Sequence, residues 1–438
     1  MSTSDNPLEF SNLNQWLAWL EQAHSIHNIE LGLERVSQVA AAMELTNPTS
    51  KVITVAGTNG KGSTVAAIES LALSHKLSVA SYTSPHLVHF NERIKLNGEN
   101  CSDELICAGF KAVYQAKQDI QLTYFEFTTL VALWIFKQQG VDLIVLEVGL
   151  GGRLDAVNII DCDVAVVTSI GLDHEDWLGS DLSQIAVEKA GIARPEKPLV
   201  IADKETEALL MPPCEVIGAI QWVAGREYST SVDTKYWSYN SPKLELDFYE
   251  LPLNDLYLQN LAAALTAFGY CLQELLNKNV SYAATYKAFE KLSVMGRFQK
   301  LSDSPLIIVD VAHNPDSAKL LNSKLAELKE KGIKRIVALC GMLKDKDTNS
   351  CLELMTQVDQ WNLLDLPAPR GKKASELLQS LPQVSQNNVK CYASLEEFNE
   401  SGQQSPGLSD TDALVVFGSF VTVGLFVERW NKEGFAWI

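Results

Sequence analysis

An apolar run that breaks into glycine, lysine and hydroxyl side chains, then resumes as an amphipathic stretch, constrains this chain more than any other feature. It reads VITVAGTNGKGSTVAAIESLAL from Val52 onward. Residues 52–56 predict a buried strand and 63–75 a helix, with Gly57-Thr58-Asn59-Gly60-Lys61-Gly62-Ser63 between them. Glycines let successive backbone N–H groups close around phosphate oxygens, and a helix N-terminus adds partial positive charge. Lys61 can reach terminal phosphates, and Ser63 or Thr64 can offer a hydroxyl to Mg2+. The common G-x-x-x-x-G-K-[ST] spacing is not kept: two residues separate Gly57 from Gly60, and Gly62 precedes Ser63. The segment is therefore read as a variant phosphate loop.

A regulatory nucleotide switch would carry such a loop too. Asp176-Trp177-Leu178-Gly179 fits a loose D-x-x-G pattern, but no Asn-Lys-x-Asp guanine-reading motif occurs. The 438 residues carry 54 acidic and 36 basic side chains, a formal charge of −18. That sign argues against non-specific binding to nucleic acid or an anionic membrane, which attract clustered Lys and Arg. The uncharged stretch 413–427 is too short for a membrane helix, which needs about 20 residues. Eight scattered cysteines without a Cys-x-x-Cys pair predict neither a disulfide framework nor a zinc site, and fit a reducing cytoplasm. The polar, acidic start MSTSDNPLEF predicts no export signal.

Strand-like runs at 52–56, 143–148, 164–169 and 199–202 alternate with helical stretches at 63–75, 127–139 and 182–190. That alternation predicts an α/β fold with a parallel, doubly wound sheet. Residues 219–252, rich in aromatic and β-branched side chains at near-alternate spacing, are expected to form a small antiparallel insert. A second strand–helix series begins near 306, with strands expected at 306–311, 335–341, 389–393 and 413–420. Val294-Met295-Gly296 is the expected hinge, dividing the chain into 1–295 and 296–438, and 401–410 reads as a surface loop.

AGTNGKGST (56–64), YTSPHLVHFNERI (82–94), LTYFEFTTL (122–130), LEVGLGGRLDAVNI (146–159), SIGLDHEDWLG (169–179), EKAGI (188–192), GRFQ (296–299), VDVAHNP (309–315), GMLKDKD (341–347) and GSF (418–420) occur in this order. In that order they resemble the folylpolyglutamate synthase family, in particular its bifunctional dihydrofolate synthase/folylpolyglutamate synthase members, which are related to the Mur ligases. The resemblance runs from about 13 to 427. It implies a P-loop, Mur-ligase-like ATPase domain at 1–295 and a Rossmann-like glutamate-ligase domain at 296–438. It also implies ATP-dependent amide formation: a pteroate or folate carboxylate is phosphorylated, and the amine of L-glutamate displaces phosphate. The implied partners are dihydropteroate, reduced folates and glutamate, in a cytoplasmic monomer. A monofunctional polyglutamylase, a Mur-type peptide ligase and a non-catalytic nucleotide switch are the alternatives.

By itself Glu147, ending an apolar strand before Gly149, suits a hard cation but also a solvated strand end. His174 alone reads as a loop histidine, Ser84 as part of a Ser-Pro turn, and Lys189, beside Glu188, as a solvated charge. The resemblance makes Ser84, Glu147 and His174 magnesium ligands. It makes Lys189 a carbamylated lysine that helps hold a second Mg2+, which requires a neutral amine. It assigns Thr58, Asn59, Gly60, Lys61, Gly62, Ser63, Asn260, Arg297 and Asp310 to ATP. His313 is implied in catalysis beside Lys61, Lys189, His174 and Glu147. Asn314 and Pro315 also read as a helix cap and first helical residue.

The resemblance places the pterin end of the substrate at Asn28, Ile29, Glu30 and Leu31, at Leu122, Thr123, Tyr124 and Phe125, and at Arg153, Leu154 and Asp155. Tyr124 and Phe125 offer faces for a flat ring, and read equally as core aromatics beside a helix start. Two positions depart from the family pattern: Val421 stands where it commonly has His, and Val157 where Thr is usual. The His24/His27 and His86/His89 pairs have metal-like spacing without a supporting Cys or carboxylate cluster, and are read as non-ligands.

Overall fold

In the first compact unit, strands whose residues are almost all buried lie side by side in one parallel sheet, as expected of strands covered on both faces. The computed structural model describes residues 6–23, 30–367, 369–402 and 408–434. Asn28, Ile29, His24 and His27, and residues 403–407 of the loop expected at 401–410, lie outside them.

The sheet contains β1 (Lys51–Ala56), β2 (Val79–Tyr82), β3 (Ile94–Leu96), β4 (Glu99–Asn100), β5 (Leu143–Glu147), β6 (Val164–Val167), β7 (Pro198–Ile201) and β8 (Ile220–Val223). Its order is β4-β3-β2-β5-β1-β6-β7-β8, with only the β3 and β4 pairings antiparallel. Register decides what shares an edge: Val55 lies opposite Glu147 on one side and Val166 on the other, and Tyr82 lies opposite Leu146. The C-terminal ends of β2, β5, β1 and β6 therefore emerge together, the edge where open α/β sheets take their ligands.

The expected insert is corrected at its start. Residues 220–223 are not part of an antiparallel hairpin but continue the main sheet parallel to β7. A separate three-stranded antiparallel sheet follows, built from β9 (Ser229–Val232), β10 (Tyr236–Ser241) and β11 (Leu246–Pro252) in the order β11-β10-β9. Tyr239, fully buried, shares a 2.8 Å hydrogen bond with Thr266 on the Leu258–Tyr270 helix. That helix packs against the Lys61–Ser74 helix and carries Asn260.

The second unit comprises Leu87–His89, Gly171–Trp177 and the chain from Ser293 onward. Its sheet contains β12 (Gln299–Asp303), β13 (Leu306–Val309), β14 (Arg335–Cys340), β15 (Gln360–Leu364), β16 (Val389–Tyr392) and β17 (Asp412–Phe417), ordered β12-β13-β17-β14-β15-β16. Five strands are parallel, and β12 runs antiparallel to β13. The sequence reading missed β12 and β15. The first is a polar edge strand, and the second interrupts its apolar run with Asn362, buried because its Nδ2 donates to Ala338 O at 3.0 Å. The cap read at Asn314 is present: its side chain accepts from Ser317 N, and Pro315 opens the helix.

Candidate active site

The turn after β1 is held by its neighbours as well as by its own Lys61. Thr58 N donates to Ser169 O at 2.9 Å and Asn59 N to Ser169 Oγ at 3.0 Å, while Thr168 Oγ1 donates to Asn59 O at 2.6 Å. Gly60 caps the Lys61–Ser74 helix with φ of +92°, and a Cβ there would lie 2.6 Å from Asn260 Oδ1. Glycine is thus required twice over, for its backbone angle and for the close approach of the Asn260 amide. Asn260 is buried against the loop whose nucleotide it was expected to meet. Lys61 Nζ folds back to Gly57 O at 2.8 Å and Thr58 O at 3.2 Å. Thr64 Oγ1 donates to Gly60 O, which makes Ser63 the better placed hydroxyl for a ligand.

Glu147 ends β5, the strand beside β1, and is 3% exposed, so its reading as a solvated strand end is wrong. Its Oε2 accepts from Ser84 N at 3.1 Å, which brings two of the sequence's metal candidates together. Among the described residues no group of three or more His, Cys, Asp or Glu side chains could hold a metal ion alone. A buried carboxylate beside serine hydroxyls is nevertheless the donor set of a hard cation completed by phosphate oxygens and water. The residues fit that group.

Lys189 is 4% exposed, which overturns its reading as a solvated charge. It sits in the last turn of the Leu182–Ala190 helix, beside the turn that follows Glu147. In that turn Arg153 pairs with Glu188, and Asp155 is buried as the cap of a short 3-10 helix. Burial pushes the Asp155 carboxyl up to about 7 against the backbone donors Leu150, Val157 and Gly149 and the charge of Lys61. Leu154 is partly exposed.

Among the other substrate candidates, Leu122 and Tyr124 are buried, with the Arg93 guanidinium 5.7 Å over the Tyr124 ring. Thr123 caps the Tyr124–Gln139 helix in a capping box with Glu126. Phe125 is half-buried; its ring lies over Gly149, where a Cβ would come within 2.6 Å. Arg35, which the sequence reading passed over, joins Glu30 at 2.8 Å to Glu126 at 3.2 Å. The three substrate segments are thus tied to one another through Arg35 and through Phe125 on Gly149. Leu31 is partly exposed beside them in sequence.

The second unit holds a different cluster. Asp310, ending β13, accepts from Phe298 N and Ala312 N, both at 2.8 Å, and burial raises its carboxyl against the charge of Arg297. Arg297 lies 5.2 Å over the Phe420 ring. Asp173 is a hub: Oδ1 accepts from Lys346 Nζ at 2.5 Å and His174 N at 2.9 Å, and Oδ2 meets His313 Nε2 at 3.2 Å and Asn314 Nδ2 at 3.3 Å. Those four contacts fill a carboxylate's lone-pair positions. Burial alone would raise the Asp173 carboxyl, but the hydrogen bond and charge of His313, with the charges of His174 and Lys346, hold it well below the usual range. His313 Nδ1 also meets Val311 O at 2.7 Å, and His174 has φ of +54°. Neither Asp173 nor Lys346 was singled out from sequence, although both lie in motifs that carry the resemblance; the Lys346 side chain is 7% exposed. His86 Nδ1 accepts from Arg93 Nε at 2.8 Å. Val421 is 39% exposed in the first turn of the Phe420–Glu433 helix.

Residues 55–212 match the family model of the Mur ligase middle domain, and 296–420 that of the Mur ligase glutamate ligase domain. With the phosphate loop on one parallel sheet and a second α/β unit after it, they define an ATP-dependent ligase of the Mur ligase class. The dihydrofolate synthase/folylpolyglutamate synthase of Escherichia coli K12 is 41% identical over 96% of both chains. The solved structure of the E. coli protein in complex with DHPP and ADP superposes with a TM-score of 0.89 at 39% identity, covering 99% of both chains. A bifunctional folylpolyglutamate synthase/dihydrofolate synthase with Mn, AMPPNP and L-glutamate bound gives 0.87 at 38% identity, covering 96% of this chain and 98% of that one. The chain belongs to the dihydrofolate synthase/folylpolyglutamate synthase family.

Proposed function

We propose that this chain joins L-glutamate to dihydropteroate, giving dihydrofolate, and adds further glutamates to reduced folates, using the residues assigned below. A carboxylate is a poor acylating agent. Transfer of the ATP γ-phosphoryl to the pteroate or folate carboxylate makes an acyl phosphate, and the glutamate amine then displaces phosphate. The residues Thr58, Asn59, Gly60, Lys61, Gly62 and Ser63 hold the ATP phosphates, with Asn260, Arg297 and Asp310 completing the nucleotide contacts. Lys61 leaves its two loop carbonyls to meet the phosphoryl oxygens, bringing positive charge where negative charge grows.

Ser84, Glu147 and His174 are the metal ligands, Mg2+ is the working ion, and Lys189 as a carbamate supports a second one. Bound metal offsets the charge of the nucleotide's phosphates. His313 acts at the reacting groups. Dihydropteroate lies against residues 28–31, 122–125 and 153–155, where Phe125 supplies the ring face and the buried Leu122 and Tyr124, with the helix cap Thr123 between them, shape the support beneath it. The working domains are 1–295 and 296–438. The protein acts as a monomer, and it acts in the cytoplasm, a location supported by its free cysteines, the exposed Cys391 among them. No described helix is long and apolar enough to cross a membrane.

The observation that carries this reading is the common edge shared by the phosphate loop and the buried Glu147. The test measures phosphate release with ATP, Mg2+ and glutamate, adding dihydropteroate, tetrahydrofolate or a cell-wall peptide precursor in turn. Release with the first two supports it; release with none, or only with the precursor, defeats it. Lys189→Ala is expected to lose most activity and to regain part of it with bicarbonate, whereas full activity in the variant would remove the carbamate from the reading.

A further inference from the structure

The helix Leu182–Ala190 ends on carbonyls that its own ladder does not use, and the turn after Glu147 supplies donors to them. Arg153 N donates to Glu188 O at 2.7 Å. The Arg153 guanidinium reaches Glu188 Oε1 twice, from Nε at 3.0 Å and from the NH2 group at 2.7 Å. Asn158 Nδ2 donates to Arg153 O at 2.9 Å and to Gly191 O at 3.1 Å, spanning turn and helix end. Arg194 closes the far side, its NH2 group donating to Asn158 O at 3.0 Å and to Asn158 Oδ1 at 3.1 Å.

Two glycines make the contact possible. A Cβ on Gly152 would lie 2.5 Å from Glu188 O, and one on Gly191 would lie 2.4 Å from Arg153 Cβ. Cβ atoms do not pack that closely, so the two backbones touch only because both positions are glycine. Lys189 follows Glu188 in this helix end, buried and with its Cα against Gly152, and Asn158, 7% exposed, has both ends of its amide engaged. The Arg153–Glu188 pair is only partly buried, with side chains 50% and 19% exposed, so its value lies in geometry more than in ion-pair energy.

We propose that Glu188 and Asn158 are positioning residues: they make the turn 149–158 and the Lys189-bearing helix end one rigid piece, so that pteroate seated on the turn sets Lys189. The inference rests on the reading that residues 153–155 meet the pteroate substrate. It gives Arg153 a second task, holding the helix end as well as facing the substrate. Glu188 is given its role through its contacts to Arg153, not through a contact to substrate or nucleotide.

The test follows amide hydrogen exchange of the full chain with and without dihydropteroate, a non-hydrolysable ATP analogue being present in both arms. In the unaltered protein, dihydropteroate is expected to slow exchange in peptides covering 149–158 and also in those covering 182–191. In Glu188→Gln the first segment is still protected and the second is not. The same variant is expected to lose about tenfold or more in kcat while KM for dihydropteroate changes by less than about twofold, the split expected of misplacement rather than weakened binding. Asn158→Ser, which removes the bridging donors and leaves the Arg153–Glu188 pair, repeats the pattern and serves if the first variant does not fold. Protection confined to 149–158 in the unaltered protein, undiminished transfer to 182–191 in both variants, or an unchanged kcat overturns the positioning role alone. No protection at 149–158 overturns the substrate reading, and this inference with it.

Discussion

The two larger sheets of this protein end in sites of opposite design. At the carboxyl edge of the first, the turn after β1 is built from glycine, and Lys61 rests on two carbonyls of that same turn. In the second unit, Asp173 collects Lys346, His313, Asn314 and His174 N on one buried carboxylate. The first arrangement is provisional, since a lysine on neutral carbonyls gains by moving to phosphate oxygens. The second is complete, since all the acceptor positions of its carboxylate are in use. A lysine resting on loop carbonyls serves binding and a closed carboxylate network serves placement, so their loss should be felt in different measurements.

The largest effect expected is on the open side. Lys61→Ala should lower kcat/KM by roughly 10³-fold in the phosphate-release assay, the scale of removing one preorganised electrostatic donor. The calorimetric unfolding profile should be nearly unchanged; an equal loss of stability would erase the distinction between the two sites. Next comes the closed network. Lys346→Met leaves the Asp173 charge buried without its cation, and should destabilise the second unit by about 3 kcal/mol. Adding Asp173→Asn should restore more than half of that, because the two changes remove one interaction. A Lys346→Met protein with an unshifted transition would show that the network contributes nothing to folding.

The smallest effect separates both sites from ordinary core chemistry. His75 packs in the first unit with Nδ1 on Leu71 O at 2.8 Å and Nε2 accepting from Ser281 N at 3.0 Å, an arrangement that needs the neutral ring. Burial lowers its pKa below the usual 6.5, although both backbone contacts oppose the shift. Below pH 6.5 the unfolded chain therefore binds more protons at this position than the folded one, so stability falls as pH falls and is level above. Unfolding at pH 7.5 and 5.5 should show a slope, of under about 1 kcal/mol, that His75→Gln removes. A slope unchanged in that variant would assign it to other groups.

The legible part of the fold was its central strands. β1, β5, β6 and β7 are nearly continuous apolar runs, as parallel strands buried on both faces tend to be. β15 was hidden because Asn362 finds its partner on the neighbouring strand, a contact with no signature in local sequence. Residues 220–223 were assigned to the insert for the same reason: their β-rich composition does not say which sheet will take them. In the candidate site, the loop 57–63 announced itself through glycine and lysine at fixed offsets. Lys189 and Lys346 did not, since a lysine among charged neighbours looks solvated until the fold buries it.

What the sequence by itself determined is the chemistry that depends on order along the chain: a strand, a glycine turn, a lysine and a helix in succession, and a carboxylate closing an apolar run. Steric and hydrogen-bonding rules act locally there, over a few residues. What only the tertiary structure decided is which charges lie out of water and who answers them. Asp173 with Lys346, and Arg153 with Glu188, are 173 and 35 residues apart in sequence. Burial and pairing over such distances follow from how strands and helices pack, and no local rule carries that information.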